Sequence, residues 1–554
     1  MQAGERSDDR FFLGVSESVT GRSWRDRLDA RGQALAQAIA QQTGVAEILA
    51  RVLAAREVPP AQAGDYLSPA IRKLMPDPSC LCDMDRAVER LALAIDRGET
   101  VAIFGDYDVD GACASALMAE FLRACGVPFL IHIPDRIFEG YGPNVEAVRA
   151  LAGKGASLLV SVDCGTASFE PFAAAAEAGL DVVVFDHHQT GDRLPEVVAL
   201  VNPNRQDDLS GLGHLCAAGV VFMALAGLHR RLRAGGFWKN ADEAPDLLAM
   251  LDLVALATVA DVVPLTGLNR AFVAKGLAVM QHRSRPGLRA LFDVARASGP
   301  PRAFMLGYMI GPRINAGGRI GDAGLGARLL LEQDEGEAMR IAEELDRLNR
   351  ERQVIEAAAV AEAEAEALAA LGASDDAAVI VSAAENWHPG VVGLVAARLK
   401  ERFGRPAFAI AMNGPRGVGS GRSVAGVDLG AAVRAALEAG LLLRGGGHAM
   451  AAGVTVERDR LGAFRAFLEE RLAASVGGAR ARNGLEIDGA LTARGLRLEL
   501  VEEIERAGPF GAGNPEPVFI LPAHRIAEAS VVGESHVRVR AQAGDRAVID
   551  AIAF

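Results

Sequence analysis

Four short apolar runs constrain this chain most: Val101–Phe104, Phe129–Ile133, Leu158–Val162 and Val182–Phe185, separated by stretches of helical spacing such as Ala87–Ile95 and the segment after Gly111. Runs of four or five apolar residues without polar alternation are strands buried on both faces, and strands alternating with helices build a parallel sheet. Three of the runs lead into acids: GDYDVDG at 105–111, SVDCGT at 161–166 and DHH at 186–188. Parallel strands all end on one side of the sheet, so carboxylates far apart in sequence converge on one crevice. Gathered there unpaired, they would repel one another and hold their protons, a cost that divalent cations remove. Oxygen ligands with one or two imidazoles suit Mn²⁺ or Mg²⁺ better than a structural zinc. Five or more acids exceed the needs of one ion, which points to two ions about 3.5–4 Å apart and to phosphate ester hydrolysis.

With 554 residues, half of them apolar, the chain has material for several domains, and composition narrows their partners. A net charge of -13 means that any contact with a polyanion must be a local basic track or run through bound cations, and 5% aromatic content makes an extended base-stacking platform unobvious. The apolar stretch 215–228 is too short to span a bilayer, and the charged start does not lead into a signal-peptide core, so a cytoplasmic protein without membrane contact is expected. Six cysteines without CxxC spacing read as reduced thiols.

Five regions are expected. Residues 1–75 read as an N-terminal helical appendage, 76–332 as the parallel-sheet domain, and 333–373 as one connecting helix. That helix opens at Asp334 with Glu337 in a capping-box-like pattern, stops at Gly372 and is on the order of 55 Å long. Its Glu/Ala repeat at 361–367 reads as a solvated face. Residues 374–476 form a smaller α/β domain with strands at 377–382 and 407–412. Residues 477–554 form a β-barrel, signalled by turns in GAGNPEP and by alternation over His536–Gln542, and the chain stops abruptly for a barrel at Phe554.

The series GDYDVDG, SVDCGT, DHH, ATVADVVPL (257–265) and GPRINAGGR (311–319) resembles the DHH phosphoesterase superfamily, in particular its branch that degrades single-stranded DNA. The resemblance continues through ENWHPGVVG (385–393), GSGRS (419–423) and RGGGHAMAAG (444–453), which are similar to a DHH-associated domain, and through PFGAGNPEP (509–517), which is similar to the start of that branch's OB-fold domain. It implies metal ligands at Asp108, Asp110, Asp163, Asp186, His187 and Asp261, with Asp106 and His188 in the catalytic neighbourhood. From the residues alone, the competing reading of Asp261 is a cap for the turn that follows its helix. Phosphate and DNA contacts are implied for Arg313, Asn315, Arg319, Ser420, Arg422, Gly446, Gly447 and His448, and for His388 at a helix start that can receive an anion. Arg538 and Arg540 are candidate backbone contacts of the barrel. For the GPRINAGGR arginines the competing reading is a glycine-rich turn with surface arginines, and for His388 a structural hydrogen bond.

The resemblance implies a 5′→3′ exonuclease that hydrolyses single-stranded DNA to 5′-mononucleotides with two Mn²⁺ or Mg²⁺ ions. It further implies a monomer acting in recombination and repair beside single-stranded-DNA-binding protein and recombination factors. Two alternatives stand: a DHH phosphodiesterase for short oligoribonucleotides or cyclic dinucleotides, which leaves the barrel idle, and a non-catalytic repair scaffold, which predicts lost acids where all are present.

Overall fold

The structure is a computed structural model, described here for residues 11–136, 138–372, 376–481, 484–533 and 536–553. It divides into two compact units, one of residues 76–263 and 275–482, the other of the described parts of 1–75, 264–274 and 483–554.

In the larger unit, Phe129–His132, Val101–Gly105, Leu158–Val162, Asp181–Phe185 and Ala199–Val201 lie side by side in that order as an all-parallel sheet. Val101–Gly105 and Leu158–Val162 are buried at every position, as continuous apolar strands covered on both faces must be. From Val101–Gly105 the chain moves to one side to make Phe129–His132, then crosses back to the other to make Leu158–Val162. That reversal opens a crevice at the carboxyl ends of the two central strands. The fifth strand, Ala199–Val201, was not anticipated: at three residues it is too short for a periodicity signal.

The connecting helix runs from Glu335 to Leu371, with Asp334 accepting from the Glu337 amide at 2.8 Å and Gly372 at φ 59° ending it. Its Glu/Ala repeat is not simply a solvated face. Ala359, Ala363 and Ala367 are buried against the second sheet domain. Glu362 accepts from the Trp387 indole at 2.9 Å, and Glu366 takes the Ala383 amide at 3.3 Å. Small alanines let the helix approach closely enough for glutamates beside them to reach donors across the contact.

The second sheet is mixed, in the order Arg444–His448, Ala451–Glu457, Arg416–Arg422, Ala407–Asn413, Ile380–Ala384, with only the last pair parallel. Helix Leu461–Ala481 packs Phe464, Leu468, Leu472 and Val476 into its core.

In the smaller unit the N-terminal segment is not an appendage. Ser23–Asp26 pairs in parallel with Gly484–Ile487, and Ile39, Leu49, Leu53 and Val58 share a core with Ala507. Its amphipathic helices need a partner surface, and the C-terminal region supplies it. Where a C-terminal β-barrel is expected, the described residues include an antiparallel sheet of three strands, Arg525–Val532, His536–Gln542 and Val548–Ala553. The middle strand is the one that the alternation marks.

Candidate active site

The acidic motifs meet at the sheet's crevice. Asp108 caps helix Val109–Ala124, its Oδ1 accepting from the amides of Asp110 (2.9 Å) and Gly111 (3.1 Å), which leaves its other oxygen for the crevice. Gly111 is required here, because a Cβ would stand 2.4 Å from the Asp106 carbonyl oxygen. Asp110 is buried and receives the Ala217 and Ala218 amides at 2.6 and 2.8 Å, the start of the helix Ala217–Ala234. Asp163 follows its strand in the left-handed region at φ 61°. Asp261, directly after helix Leu251–Ala260, faces the same centre.

His187 is the hub. Its Nε2 lies 3.4 Å from Asp163, 3.6 Å from Asp261 and 3.8 Å from Asp110. Within each of three trios, Asp163–His187–His188, Asp110–His187–Asp261 and Asp106–Asp108–Asp163, the ligand atoms lie within 4.8 Å of one another, close enough to share an ion. Oδ1 of Asp106 and Oδ1 of Asp163 are buried without a hydrogen-bond donor, an arrangement that costs free energy unless a cation or proton meets them. Burial, reinforced by neighbouring carboxylates, raises the pKa of Asp106, Asp163 and Asp261 well above the ordinary range; Asp110 is raised by burial as well, partly offset by His187. Oxygen-rich, charge-crowded and donor-poor, the cluster fits hard divalent cations.

Asp186 has a different employment from the one implied for it. Its Oδ2 accepts from the Thr166 amide and hydroxyl (3.1 and 2.6 Å), its Oδ1 from the His187 and His188 amides (2.7 and 3.2 Å) and from His188 Nδ1 (2.8 Å). It belongs to none of the three trios. It fixes both histidines. Burial alone would lower the pKa of His188, but the hydrogen bond and charge of Asp186 raise it to about 9.

Helix Gly311–Ile320 joins the acids to the second domain. The helix is glycine-rich where it must touch the acidic loop: a Cβ on Gly318 would lie 2.7 Å from the Tyr107 carbonyl oxygen. Asn315 Oδ1 accepts the Val109 amide at 3.1 Å and so steadies the loop that carries Asp108 and Asp110. Arg313 points elsewhere, held by Asp346 of the connecting helix at 2.9 Å and by the Met309 carbonyl at 2.6 Å, so it secures packing and is not available to a phosphate. Arg319 donates to the Gly390 carbonyl at 2.9 Å. Burial, then the charges of Arg136, Arg352 and Arg422, lower its pKa to about 10. A half-buried cation among cations wants an anion.

Across from it, the strand Arg416–Arg422 alternates. Gly417, Gly419 and Gly421 turn inward, where any Cβ would collide with Met412, Ile410 or Phe408, so Ser420 and Arg422 share the opposite face. Arg422 donates to Ser420 Oγ at 2.7 Å, beside Gly393 in the first turn of helix Val392–Phe403.

Comparison with known proteins agrees with this construction. Profiles described as "DHH family, N-terminal domain", "DHHA1 domain" and "RecJ OB domain" match residues 100–258, 376–474 and 487–554. The single-stranded-DNA-specific exonuclease RecJ of Dickeya dadantii is 38% identical over 92% of this chain and 89% of its own, and that of Escherichia coli K12 is 36% identical over the same shares. The chain belongs to the RecJ family. Among solved structures, Thermus thermophilus RecJ in complex with Mn²⁺ aligns at TM-score 0.77 and 32% identity, covering 93% of this chain and 72% of that one. A RecJ exonuclease bound to manganese aligns at 0.59 and 36%, covering 72% and 96%.

The remaining expected residues of this RecJ family member divide. Gly446, Gly447 and His448 lie at the end of a hairpin. Gly447 (φ 146°) admits no side chain, since a Cβ would reach within 2.3 Å of the Ala451 carbonyl oxygen. Burial, then the charges of His188 and His187, lower the pKa of His448, which places it toward the DHH histidines. His388 makes the structural bond: its Nδ1 accepts the Gly390 amide at 3.0 Å. Arg538 and Arg540 are exposed on the C-terminal sheet, 3.7 and 3.3 Å from Asp550.

Two residues were missed. Arg136, whose guanidinium sits 5.1 Å from the Tyr107 ring centroid, adds charge beside Arg319 and Arg422. Tyr141 donates to the Asp163 carbonyl at 3.1 Å and packs edge-on to His188. Both lie in the connection after Phe129–His132, which carries no periodicity, and contacts to the loops beyond the other strands bring them into the site.

Proposed function

We propose that this chain is a 5′→3′ exonuclease that hydrolyses single-stranded DNA to 5′-mononucleotides with two divalent cations, Mn²⁺ or Mg²⁺, at the acidic cluster. One observation carries the reading: the carboxylates of Asp106 and Asp163 lack hydrogen-bond donors, while the half-buried guanidinium of Arg319, crowded by other arginines, lies within electrostatic range of Asp108. Asp108, Asp110, Asp163, His187 and Asp261 hold the cations, with Asp106 beside them. Bound there, two such ions would supply a water of lowered pKa and charge neutralisation at the phosphate.

The protein's own residues supply position. Arg319, Arg422, Ser420 and Arg136 hold the 5′-terminal phosphate, so that the next phosphate of the strand reaches the acids. Hydrolysis adds water oxygen to that phosphorus and breaks its bond to the 3′ oxygen of the first nucleotide, freeing a 5′-mononucleotide and leaving a new 5′ phosphate. Asp186 keeps His188 oriented and protonated, able to donate toward the charged phosphate oxygens. The arginines fit a chain whose overall charge is negative, because Arg136, Arg319 and Arg422 make a local basic cluster.

No helix among the described residues is long and apolar enough to cross a membrane. The reading places the protein in the cytoplasm as a monomer, acting in recombination and repair with single-stranded-DNA-binding protein. Digestion of end-labelled single strands with Mn²⁺ tests it: a 5′ label should leave first, as a mononucleotide. Release of the 3′ label first would overturn the polarity, and no release from any strand would overturn the activity.

A further inference from the structure

A pair of stacked, exposed aromatic rings stands on the helix that carries Arg319. Phe304 and Tyr308 are 61% and 74% exposed, with ring centroids 4.9 Å apart and planes inclined by 23°. Four residues apart, they share one helical face. They occupy a continuous helical stretch, Ala303–Met305, a π-helical turn Leu306–Ile310, then Gly311–Ile320.

The flank of that stretch next to the rings is fixed to the active site. A Cβ on Gly307 would lie 3.4 Å from Val259, and one on Gly311 would lie 3.4 Å from Ala260 and 3.7 Å from Val109. Val259 and Ala260 are the last helical residues before Asp261, and Val109 is the first after Asp108. The rings are therefore mounted rigidly on the wall that positions two acids. Arg319 sits eleven residues further along the same helix, on the order of 16 Å away at 1.5 Å per residue.

We infer that Phe304 and Tyr308 form a stacking platform for bases of the single strand beyond the terminal nucleotide. The inference rests on the exonuclease reading and extends it to a subsite. Only 5% of the chain is aromatic and it has four tyrosines, so two adjacent rings left in water are a marked local concentration. Every base has a π face, so a ring platform holds DNA of any sequence, as an enzyme that advances one nucleotide at a time requires. Ring faces also add affinity without adding positive charge to an acidic surface. With the terminal phosphate at Arg319, the separation along the helix assigns the platform to bases downstream of the scissile bond, and strands of two nucleotides fall short of it.

The test uses the full chain carrying Phe304→Ala and Tyr308→Ala together. Fluorescence anisotropy with a labelled, nuclease-resistant phosphorothioate dT20 should give a Kd about tenfold or more above that of the unaltered protein. A matching strand with abasic spacers should bind both proteins equally. Mn²⁺-dependent release of mononucleotide from 5′-phosphorylated dTdT should be unchanged, and the exchange Phe304→Tyr with Tyr308→Phe should keep the original affinity. A double-alanine variant that binds dT20 within twofold of the unaltered protein overturns the platform, as does an equal loss on the abasic strand; the patch would then serve something other than bases. An unaltered protein that releases no nucleotide from any strand overturns the exonuclease reading instead, a separate outcome because the binding comparison needs no cleavage.

Discussion

The two sheet domains of the larger unit place their functional groups in opposite ways. In the parallel sheet the acids lie in loops just beyond strand ends, and the topology alone gathers them at one edge. In the mixed sheet Ser420 and Arg422 lie within a strand, where the alternation of faces selects them and a shift by one residue would turn both into the core. Loop-borne ligands tolerate error in register; strand-borne donors do not. The difference suits their tasks, since acids converge on cations that draw them together, whereas a phosphate needs donors already fixed.

Removing a loop acid should have the largest effect. Asp163→Asn keeps a side chain that tolerates the left-handed backbone while deleting the charge, and should reduce mononucleotide release by more than about a hundredfold. Because it relieves repulsion among buried carboxylates, the metal-free protein should melt higher than the unaltered one. A variant that melts lower would mean that Asp163 is already compensated by something other than a cation.

Arg319→Ala should follow, raising KM for 5′-phosphorylated strands by about tenfold or more while leaving metal binding intact. Arg313→Ala, six residues earlier on the same helix, should instead leave KM alone and cost about 1–3 kcal/mol in stability by stranding Asp346. Equal KM effects would remove the distinction between the two arginines.

Asp186→Asn should lower Mn²⁺ affinity by about 10–100-fold, read by calorimetry, through loss of the orientation of His187 and His188. An unchanged affinity would separate Asp186 from the metal centre.

The smallest effect concerns pH. Asp106, Asp163 and Asp261 have raised pKa values in the folded chain, so the native state binds more protons than the unfolded one above about pH 4, where unfolded carboxyls ionise. The stability those groups contribute is full below that pH and is lost as pH rises toward their folded values. Mn²⁺ replaces the protons, so its elevation of Tm should grow between pH 6 and pH 8; at a hundredfold excess over Kd the bound ion contributes about 2.7 kcal/mol of stability. An elevation that shrinks with pH would contradict the assignment of these acids as ligands.

Much of this was legible in advance, and for a stated reason. The apolar runs before Asp106, Asp163 and Asp186 mark strand ends, and the capping signal at Asp334 with Gly372 bounds the connecting helix. Arg313 and Arg319 could not be told apart, because both stand in one glycine-rich motif and only the packing against Asp346 and Gly390 separates them. Nor did low aromatic content foretell the Phe304–Tyr308 pair, since composition averages over a surface and a binding site does not.

By itself the sequence determined which residue types follow which strands, and hence that carboxylates and imidazoles crowd one edge of a parallel sheet. Only the tertiary structure decided that Asp186 orients its neighbours, that Arg136 and Tyr141 join the site, and that the N-terminal segment completes a core with the C-terminal one. Periodicity is a property of neighbours along the chain, whereas a side chain's role is set by the donors and charges that packing brings within a few ångströms of it.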